Sequence, residues 1–186
     1  SIWFFGSLAY MTLLYAVDNG GGAWHANYRF LPAVWSSDNQ LPWLLTEALY
    51  NGKSLENLFG QWLVSDRPPL MAGLLTMVAD ILRWLYFNND GLYLLQKGYQ
   101  IAGIIINCLW LPALYLILRN LFQCNLKVSL VILIAVAFSP LAIFNSIYTW
   151  PKMLAGAFII LAYYCAIQYR HHEDKNSKTN FGYLIG

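Results

Sequence analysis

The sequence predicts an all-α protein: a polytopic bundle of membrane helices with juxtamembrane amphipathic helices in a long first extracytoplasmic loop. Of its 186 residues, 59% are hydrophobic and 11% are charged, whereas a soluble domain carries far more charge on its surface. Four apolar segments contain no Asp, Glu, Lys or Arg, and each approaches the length that crosses a bilayer. Aromatic residues make up 17% of the chain, and Trp and Tyr favour membrane–water interfaces. We therefore expect one membrane module over residues 1–186.

The first apolar segment, residues 1–17, is predicted to be a transmembrane helix. It has neither the basic start nor the small-residue exit of a signal peptide. The chain opens inside this segment without a Met, and its last residues, "FGYLIG", resemble the start of another apolar run. We therefore expect the sequence to be a fragment of a longer membrane protein.

A mixed polar and aromatic region, residues 18–97, follows and is predicted to form the extracytoplasmic loop. Its segment at about 40–51 fits a short amphipathic helix, because Asp38 or Asn39 can cap it and Pro42 falls in its first turn. Tryptophan residues are scattered through the region, which suits helices that lie in the plane of the interface. The loop is therefore expected to lie against the membrane surface.

The segment 69–87 decides the topology, because it is long enough to cross the membrane yet contains Asp80 and Arg83. Each charge costs about 2.5–3.5 kcal/mol near the centre of a membrane helix. Together with Gly73 and Thr76 they form one stripe at helical spacing, which a helix lying in the outer interface keeps in water. We therefore expect the segment not to cross. The alternative is a crossing helix whose polar stripe faces the bundle interior.

Three further crossings are predicted, at residues 98–118, 129–148 and 153–169. The middle one contains Pro140, which a membrane helix tolerates when neighbouring helices bind the freed carbonyl. Basic residues follow the first and the last of these crossings, so the positive-inside rule places both ends in the cytoplasm, together with a loop at 170–180. This orientation requires that 69–87 stays on the outer side.

Charged residues from three separate places fall on the predicted outer face: Asp18, Asp66 with Arg67, and Lys152. Carboxylates there can act as a general base or bind a divalent cation. Arg and Lys there can bind a phosphate at the level of the lipid headgroups. Each residue also has a plain structural interpretation, as a helix end, a cap, a snorkelling side chain or an interface anchor. Their shared face favours chemistry on a phosphorylated lipid.

The order of these features resembles the N-terminal module of GT-C glycosyltransferases: an apolar segment, Asp18, a long loop, the sequence "DRPPL" at 66–70, an apolar helix and further spans. The pattern is most similar to the bacterial relatives of protein O-mannosyltransferases and to the aminoarabinose lipid A transferase. The pair Ser139-Pro140 inside a span, followed by a polar turn, also fits. That family often has an acidic residue in this turn, where the present chain has Trp150-Pro151-Lys152.

The resemblance implies a polyprenyl-phosphate sugar donor, a glycan, lipid or protein acceptor, and an inverting transfer on the extracytoplasmic face of the inner (plasma) membrane. By this resemblance, Asp18 is the base that deprotonates the acceptor hydroxyl. Asp66 positions the acceptor or, with Asp18, holds a divalent cation where one is used. Arg67 and Lys152 stabilise the departing lipid phosphate.

Two more residues of the first loop are candidates for substrate binding, His25 and Arg29. Arg29 is a second candidate for the lipid phosphate. His25 is more simply explained as an ordinary loop histidine. His171 and His172 are predicted to be solvated loop residues, because an adjacent pair without further spaced ligands is a poor metal site.

A multi-pass transporter or flippase and a non-catalytic membrane subunit are the alternatives. A transporter predicts acidic or basic residues near the bilayer midplane, and the four apolar segments contain none. A structural subunit gives no reason for charged residues from three places to share one face. The net charge of +2 and the lack of a basic run argue against nucleic-acid binding. The three cysteines have no CxxC spacing, so neither a disulfide nor structural zinc is expected.

Overall fold

The computed structural model of the chain describes residues 1–17, 22–28, 38–60, 63–64, 69–86 and 90–185, with side chains described as far as residue 170. The regular secondary structure of these residues is helical, which confirms the all-α prediction. In chain order the helices are α1 (Ile2–Val17), α2 (Leu41–Tyr50), α3 (Leu70–Leu85), α4 (Gly91–Asn107), α5 (Trp110–Leu116), α6 (Leu126–Ala137), α7 (Pro140–Ile147) and α8 (Lys152–Ile185). A 3-10 turn, Asp38–Gln40, leads into α2, and a π-helical turn, Ile117–Leu121, extends α5.

Two helical runs are long and apolar enough to cross a membrane: Gly91–Leu121, formed by α4, α5 and the π-helical turn, and Lys152–Arg170 of α8. Helices α6 and α7 make a third if they count as one span, although they are bent by 70° relative to each other. Helix α1 is apolar but shorter, and the described residues contain no other helix that passes this test. The predicted crossings at 98–118 and 153–169 lie within the two long runs.

The bend between α6 and α7 divides the predicted crossing 129–148 just before Pro140. This proline has no amide hydrogen for the carbonyl of Val136, and the Oγ of Ser139 donates to that carbonyl instead, at 2.7 Å. The same Oγ accepts a hydrogen bond from the amide of Ala142 and so caps α7. The freed carbonyl is therefore bound by the residue next to the proline, and the following carbonyl, that of Ala137, accepts from the hydroxyl of Tyr10 in the neighbouring helix α1.

The core consists of three buried clusters, and α4 contributes to the two larger ones; the third is formed by Leu45, Phe59 and Ala72. Helices α1, α6 and α7 pack around side chains that include Leu14, Ile104 and Leu111. Helices α2 and α3 pack against the other side, where Met71 and Leu75 of α3 are completely buried. The long run that begins with α4 is thus the central element of the fold.

Helix α3 and the start of α4 are in close contact. Gly91 lies against the backbone carbonyl of Ala79, so near that a Cβ atom at this position would overlap it. The opposite side of α3 is exposed and includes large apolar side chains such as Ile81 and Trp84. Within the predicted segment 69–87, α3 (Leu70–Leu85) therefore has one buried face and a second apolar face that no described residue covers.

Two local predictions were wrong. Asn39, one of the two residues expected to cap α2, is buried, and its side chain donates to the carbonyl of Tyr28 instead. Pro42 does lie in the first turn of α2, as predicted.

The segment 170–180 is not a loop, because α8 continues through it. Neither proline nor glycine occurs within residues 157–181, so no residue there is suited to end the helix.

Candidate functional site

Five segments of the chain meet in one buried cluster, which we call the junction: the turn 22–28, the first turns of α2, α3 and α8, and the middle of α4. Each segment contributes one buried side chain, namely Ala26, Trp43, Met71, Leu154 and Tyr99. The rings of Trp43 and Tyr99 pack edge to face, with their centroids 5.9 Å apart. Segments that are far apart in the sequence are therefore held next to each other.

The turn at the junction enters an interruption of α4. Gly98 has φ −110° and ψ 18°, which are not helical values, and α4 is kinked there. The amide of Gln100 donates to the carbonyl of Trp24 at 3.1 Å. The carbonyl of Gln96 accepts from the amide of Ala26 at 2.9 Å. In a regular α-helix the amide of Gln100 donates directly to the carbonyl of Gln96. The turn therefore takes the place of one helical hydrogen bond.

Asn39 connects the turn, α2, α4 and the segment before α8. Its side-chain amide donates to the carbonyl of Tyr28 at 3.0 Å. Its backbone amide donates to the hydroxyl of Tyr148 at 3.2 Å. Its carbonyl accepts from the hydroxyl of Tyr99 at 2.7 Å. Since Asn39 is only 1% exposed, water does not compete for these bonds, and they fix the relative positions of the four segments.

The turn from α7 to α8 is held by two amide side chains of α4. The hydroxyl of Thr149 donates to Oε1 of Gln100 at 2.6 Å, and both residues are fully buried. The Nδ2 of Asn107 contacts three backbone carbonyls at the end of α7, the nearest being that of Tyr148 at 3.1 Å. The last carbonyls of a helix lack partners within it, so this side chain completes the end of α7.

Lys152, predicted to bind the lipid phosphate, is the first residue of α8 and is exposed. Its Nζ lies 5.7 Å from the centre of the Trp150 ring, which is within cation–π range. The ring of Trp150 in turn lies 6.3 Å from that of Tyr148, centre to centre. A helix N-terminus carries a partial positive charge, which adds to the charge of the lysine. This end of α8 therefore attracts anions.

His25 is the other predicted site residue that the structure describes, and it lies in the turn at the junction. Its amide donates to the carbonyl of Gly22, and its carbonyl accepts from the amide of Tyr28, both at 3.0 Å. Its side chain is partly exposed. His25 therefore shapes the turn through its backbone and keeps its imidazole accessible at the edge of the junction.

Four predicted site residues lie outside the described residues: Asp18, Arg29, Asp66 and Arg67. Their neighbours in sequence are described. Asp18 follows the end of α1, Arg29 follows Tyr28 of the junction turn, and α3 begins at Leu70. The part of the chain that is described contains no group of three His, Cys, Asp or Glu residues suited to a metal ion. A cation held by Asp18 and Asp66 therefore stays a prediction.

The sequence does not predict the roles of the polar residues that hold the junction, which are Asn39, Tyr99, Gln100, Asn107 and Thr149. A signal exists for Gln100 and Asn107, because an amide inside an apolar crossing faces the bundle interior as a rule. Asn39 carries no such signal. Its three partners are 11, 60 and 109 residues away in the chain, and no local pattern encodes such pairs.

The junction also concentrates unpaired polar atoms. Among the described residues, four buried side-chain atoms have no hydrogen-bond partner: Tyr28 Oη, Asn39 Oδ1, Gln100 Nε2 and Asn107 Oδ1. An unpaired buried polar group costs about 1–3 kcal/mol, so such atoms are rare in a core. All four belong to residues of the hydrogen-bond network in and around the junction, so this network holds all the unpaired buried side-chain atoms found among the described residues.

Comparisons of the chain with protein-family models, with curated proteins and with solved structures gave no match. The resemblance to GT-C glycosyltransferases therefore rests on the order and spacing of its sequence motifs.

Proposed function

We propose that the chain is the membrane module of a GT-C-type glycosyltransferase, which transfers a sugar from a polyprenyl-phosphate donor to an acceptor on the extracytoplasmic face. One observation carries the proposal: the junction holds together the described segments that flank the predicted site residues. These segments are the turn between Asp18 and Arg29, the start of α3 after Asp66-Arg67, and the start of α8 at Lys152. A site built from residues dispersed along a chain requires such a meeting point.

The reaction needs a base for the acceptor and positive charge for the leaving group. Asp18 takes the proton of the acceptor hydroxyl while the acceptor oxygen attacks the anomeric carbon of the sugar. The bond from that carbon to the phosphate oxygen breaks, and its electron pair leaves with the polyprenyl phosphate, so the configuration inverts. Arg67 and Lys152 stabilise the negative charge as it develops on the phosphate.

The remaining candidates act in binding. Asp66 positions the acceptor or, with Asp18, holds a divalent cation. Arg29 is a second ligand for the phosphate, and His25 is a polar group at the edge of the junction. For Lys152 the described surroundings support the role directly, because its exposed ammonium group lies at the positive end of α8 and beside an aromatic ring.

We further propose a multi-pass module in the inner (plasma) membrane, with α3 lying in the outer interface instead of crossing. On the exposed apolar face of α3, Met77, Ile81 and Trp84 are each more than half exposed. Asp80 and Arg83 lie beside this face and are exposed as well. A helix in the interface can place the apolar side chains in lipid and leave the two charges in water.

Replacing the proposed base tests the enzyme class. Asp18→Asn keeps the shape of the side chain and removes its basicity, so we expect transfer from a polyprenyl-phosphate sugar to fall by about a hundredfold or more. Asp80→Asn is the matched control, since Asp80 is exposed on α3, and it should keep the wild-type rate. Transfer of labelled sugar is measured with the full-length protein in lipid vesicles. Wild-type activity in Asp18→Asn contradicts the assigned base.

The competing functions give different results in the same vesicles. A non-catalytic subunit or a flippase transfers no sugar even as wild type, and a flippase moves labelled polyprenyl phosphate across the bilayer without need of Asp18. The amides inside the run Gly91–Leu121 do not favour transport. Gln100 binds Thr149 and Asn107 binds the end of α7, so both have a structural explanation.

A further inference from the structure

The hydrogen bonds around Gly98 make a docked turn and a regular α4 mutually exclusive. The amide of Gln100 has one hydrogen, which it donates to the carbonyl of Trp24 at 3.1 Å. A continuous α-helix needs that same hydrogen for the carbonyl of Gln96, which in the structure accepts from Ala26 at 2.9 Å. Only one of these two acceptors can have the hydrogen at a time.

Crowding does not impose the kink. A Cβ atom at Gly98 would meet no heavy atom within 4 Å, and Gly98 is the one residue of α4 with non-helical backbone angles. A sharp kink in a helix has an identifiable cause, and an inserted group is one of the few known causes. The inserted group here is the backbone of the turn, and no crowding prevents α4 from continuing when the turn is absent, although Gly98 itself favours the helix less than other residues do.

The turn has contacts of its own besides those with α4. The ring of Trp24 stacks on that of Tyr15 of α1, with an angle of 5° between the planes and 6.4 Å between the centroids. Ala26 is fully buried in the junction. The end of the turn is bound where Tyr28 accepts a hydrogen bond from Asn39. Two hydrogen bonds within the turn, from the amide of His25 to the carbonyl of Gly22 and from the amide of Tyr28 to the carbonyl of His25, make it a compact unit that docks or leaves as a whole.

We propose that the turn 22–28 and α4 form a two-state latch. In the docked state, which the structure shows, the turn occupies the interruption and α4 is kinked at Gly98. In the released state the turn leaves, the amide of Gln100 donates to the carbonyl of Gln96, and α4 is continuous. Each state gives the Gln100 amide a partner, whereas release of the turn gives up the bond from Nδ2 of Asn39 to the carbonyl of Tyr28.

The latch provides the proposed glycosyltransferase with a way to open its site, and this consequence rests on the proposed function. In the docked state the turn shares a buried cluster with the start of α8, where Lys152 lies. Release withdraws the turn, with His25, from that cluster. A substrate that binds only the docked state therefore shifts the latch toward docking.

Gly98→Ala biases the latch from the side of α4. Alanine favours the helical conformation over glycine by about fivefold in an equilibrium constant, and there is room for its methyl group. We expect the amide of Ala26 to exchange with deuterium about fivefold faster, while the amide of Gln100 stays protected because it has a partner in both states. Gly73→Ala and Gly156→Ala are matched controls with equally open surroundings, and both should leave exchange at Ala26 unchanged.

Exchange is followed by mass spectrometry on the full chain in lipid nanodiscs, without a sugar donor. Faster exchange at both Ala26 and Gln100 would overturn the latch, because it indicates a frayed helix instead of an exchange of partners. Unchanged exchange at both would overturn it as well. If Gly98→Ala does not fold, Trp24→Leu biases the latch from the side of the turn, and the same contrast between the two amides is expected. Because no sugar is present, this result and the test of the base are independent.

Discussion

Two apolar helical segments are interrupted, one at Pro140 and one at Gly98, and the backbone groups freed at each interruption are bound in different ways. At Pro140 the adjacent Ser139 binds the freed carbonyl and caps α7, and the helices bend by 70°. At Gly98 the chain supplies nothing locally, and the backbone of the turn 22–28, some seventy residues earlier, fills the gap. The proline break is therefore a permanent property of its own segment. The glycine break exists only while its partner is docked, so it is the one suited to a change of state.

The permanent break nevertheless serves the junction. It directs the end of α7 toward α4, where Asn107 binds the carbonyl of Tyr148. The hydroxyl of Tyr148 then reaches the amide of Asn39, and Thr149 reaches Gln100. The bend at Pro140 thus places the segment before α8 next to the kink at Gly98.

The largest effect is expected from Asn107→Leu, which breaks the link between the two interruptions. Leucine has a similar volume but removes the side-chain donor to the carbonyls of Asn145 and Ser146 in the core, so the free energy of unfolding should fall by about 2–4 kcal/mol. Asn120→Leu is the control, because Asn120 is exposed and its one described partner is the hydroxyl of Tyr164. That variant should lose less than about 1 kcal/mol.

Reversible unfolding of both variants in mixed detergent micelles measures these differences. Equal losses for Asn107→Leu and Asn120→Leu show that the end of α7 does not depend on α4, and the two interruptions are then independent of each other.

A smaller effect is expected from Tyr10→Phe, which tests whether the bend at Pro140 depends on the contact with α1. The hydroxyl of Tyr10 in α1 donates to the carbonyl of Ala137 at 2.8 Å, directly before the bend. Loss of this buried bond should lower the free energy of unfolding by about 1–2 kcal/mol, and the bend should persist because Ser139 is unchanged. Tyr15→Phe, at an exposed tyrosine, should change it by no more than about 0.5 kcal/mol.

Label-to-label distances across α6 and α7 report the bend in these variants. A straight α6–α7 pair in Tyr10→Phe means that α1 imposes the break, in which case the contrast with Gly98 disappears.

The same contrast explains how much of the fold could be predicted. The crossings at 98–118 and 153–169 could be predicted because each is a continuous apolar run, which is a local feature of the sequence. Both lie within the two long helical runs of the structure. The break at Pro140 can also be predicted locally, because a proline inside an apolar run interrupts the helix. The start of α4 lies outside the predicted crossing, because Gln96 and Lys97 interrupt the apolar pattern and place residues 91–97 in the predicted loop. In the structure Asp90 caps them into the helix by accepting a hydrogen bond from the amide of Leu92.

The junction could not be predicted, because it depends on pairs that only the tertiary fold creates. Asn39 and Tyr148 are 109 residues apart, and neither residue type signals a buried hydrogen bond by itself. Nothing in the local sequence around Gly98 distinguishes it from Gly73, which lies in a regular part of α3. Of the predicted site, Lys152 and His25 have described positions at the edge of the junction, and the roles of the other residues stay predictions.

The central claim is that the junction turn and the start of α8 lie together, and spin-label distances test it most directly. Labels at Asn27 and Lys152, both exposed, are compared with labels at Asn27 and Tyr169 in a protein without other cysteines. Tyr169 lies further along α8 by a helical rise of about 25 Å. We predict that the first distance is the shorter one, by an amount that approaches this rise. Equal distances, or a longer first distance, contradict the account.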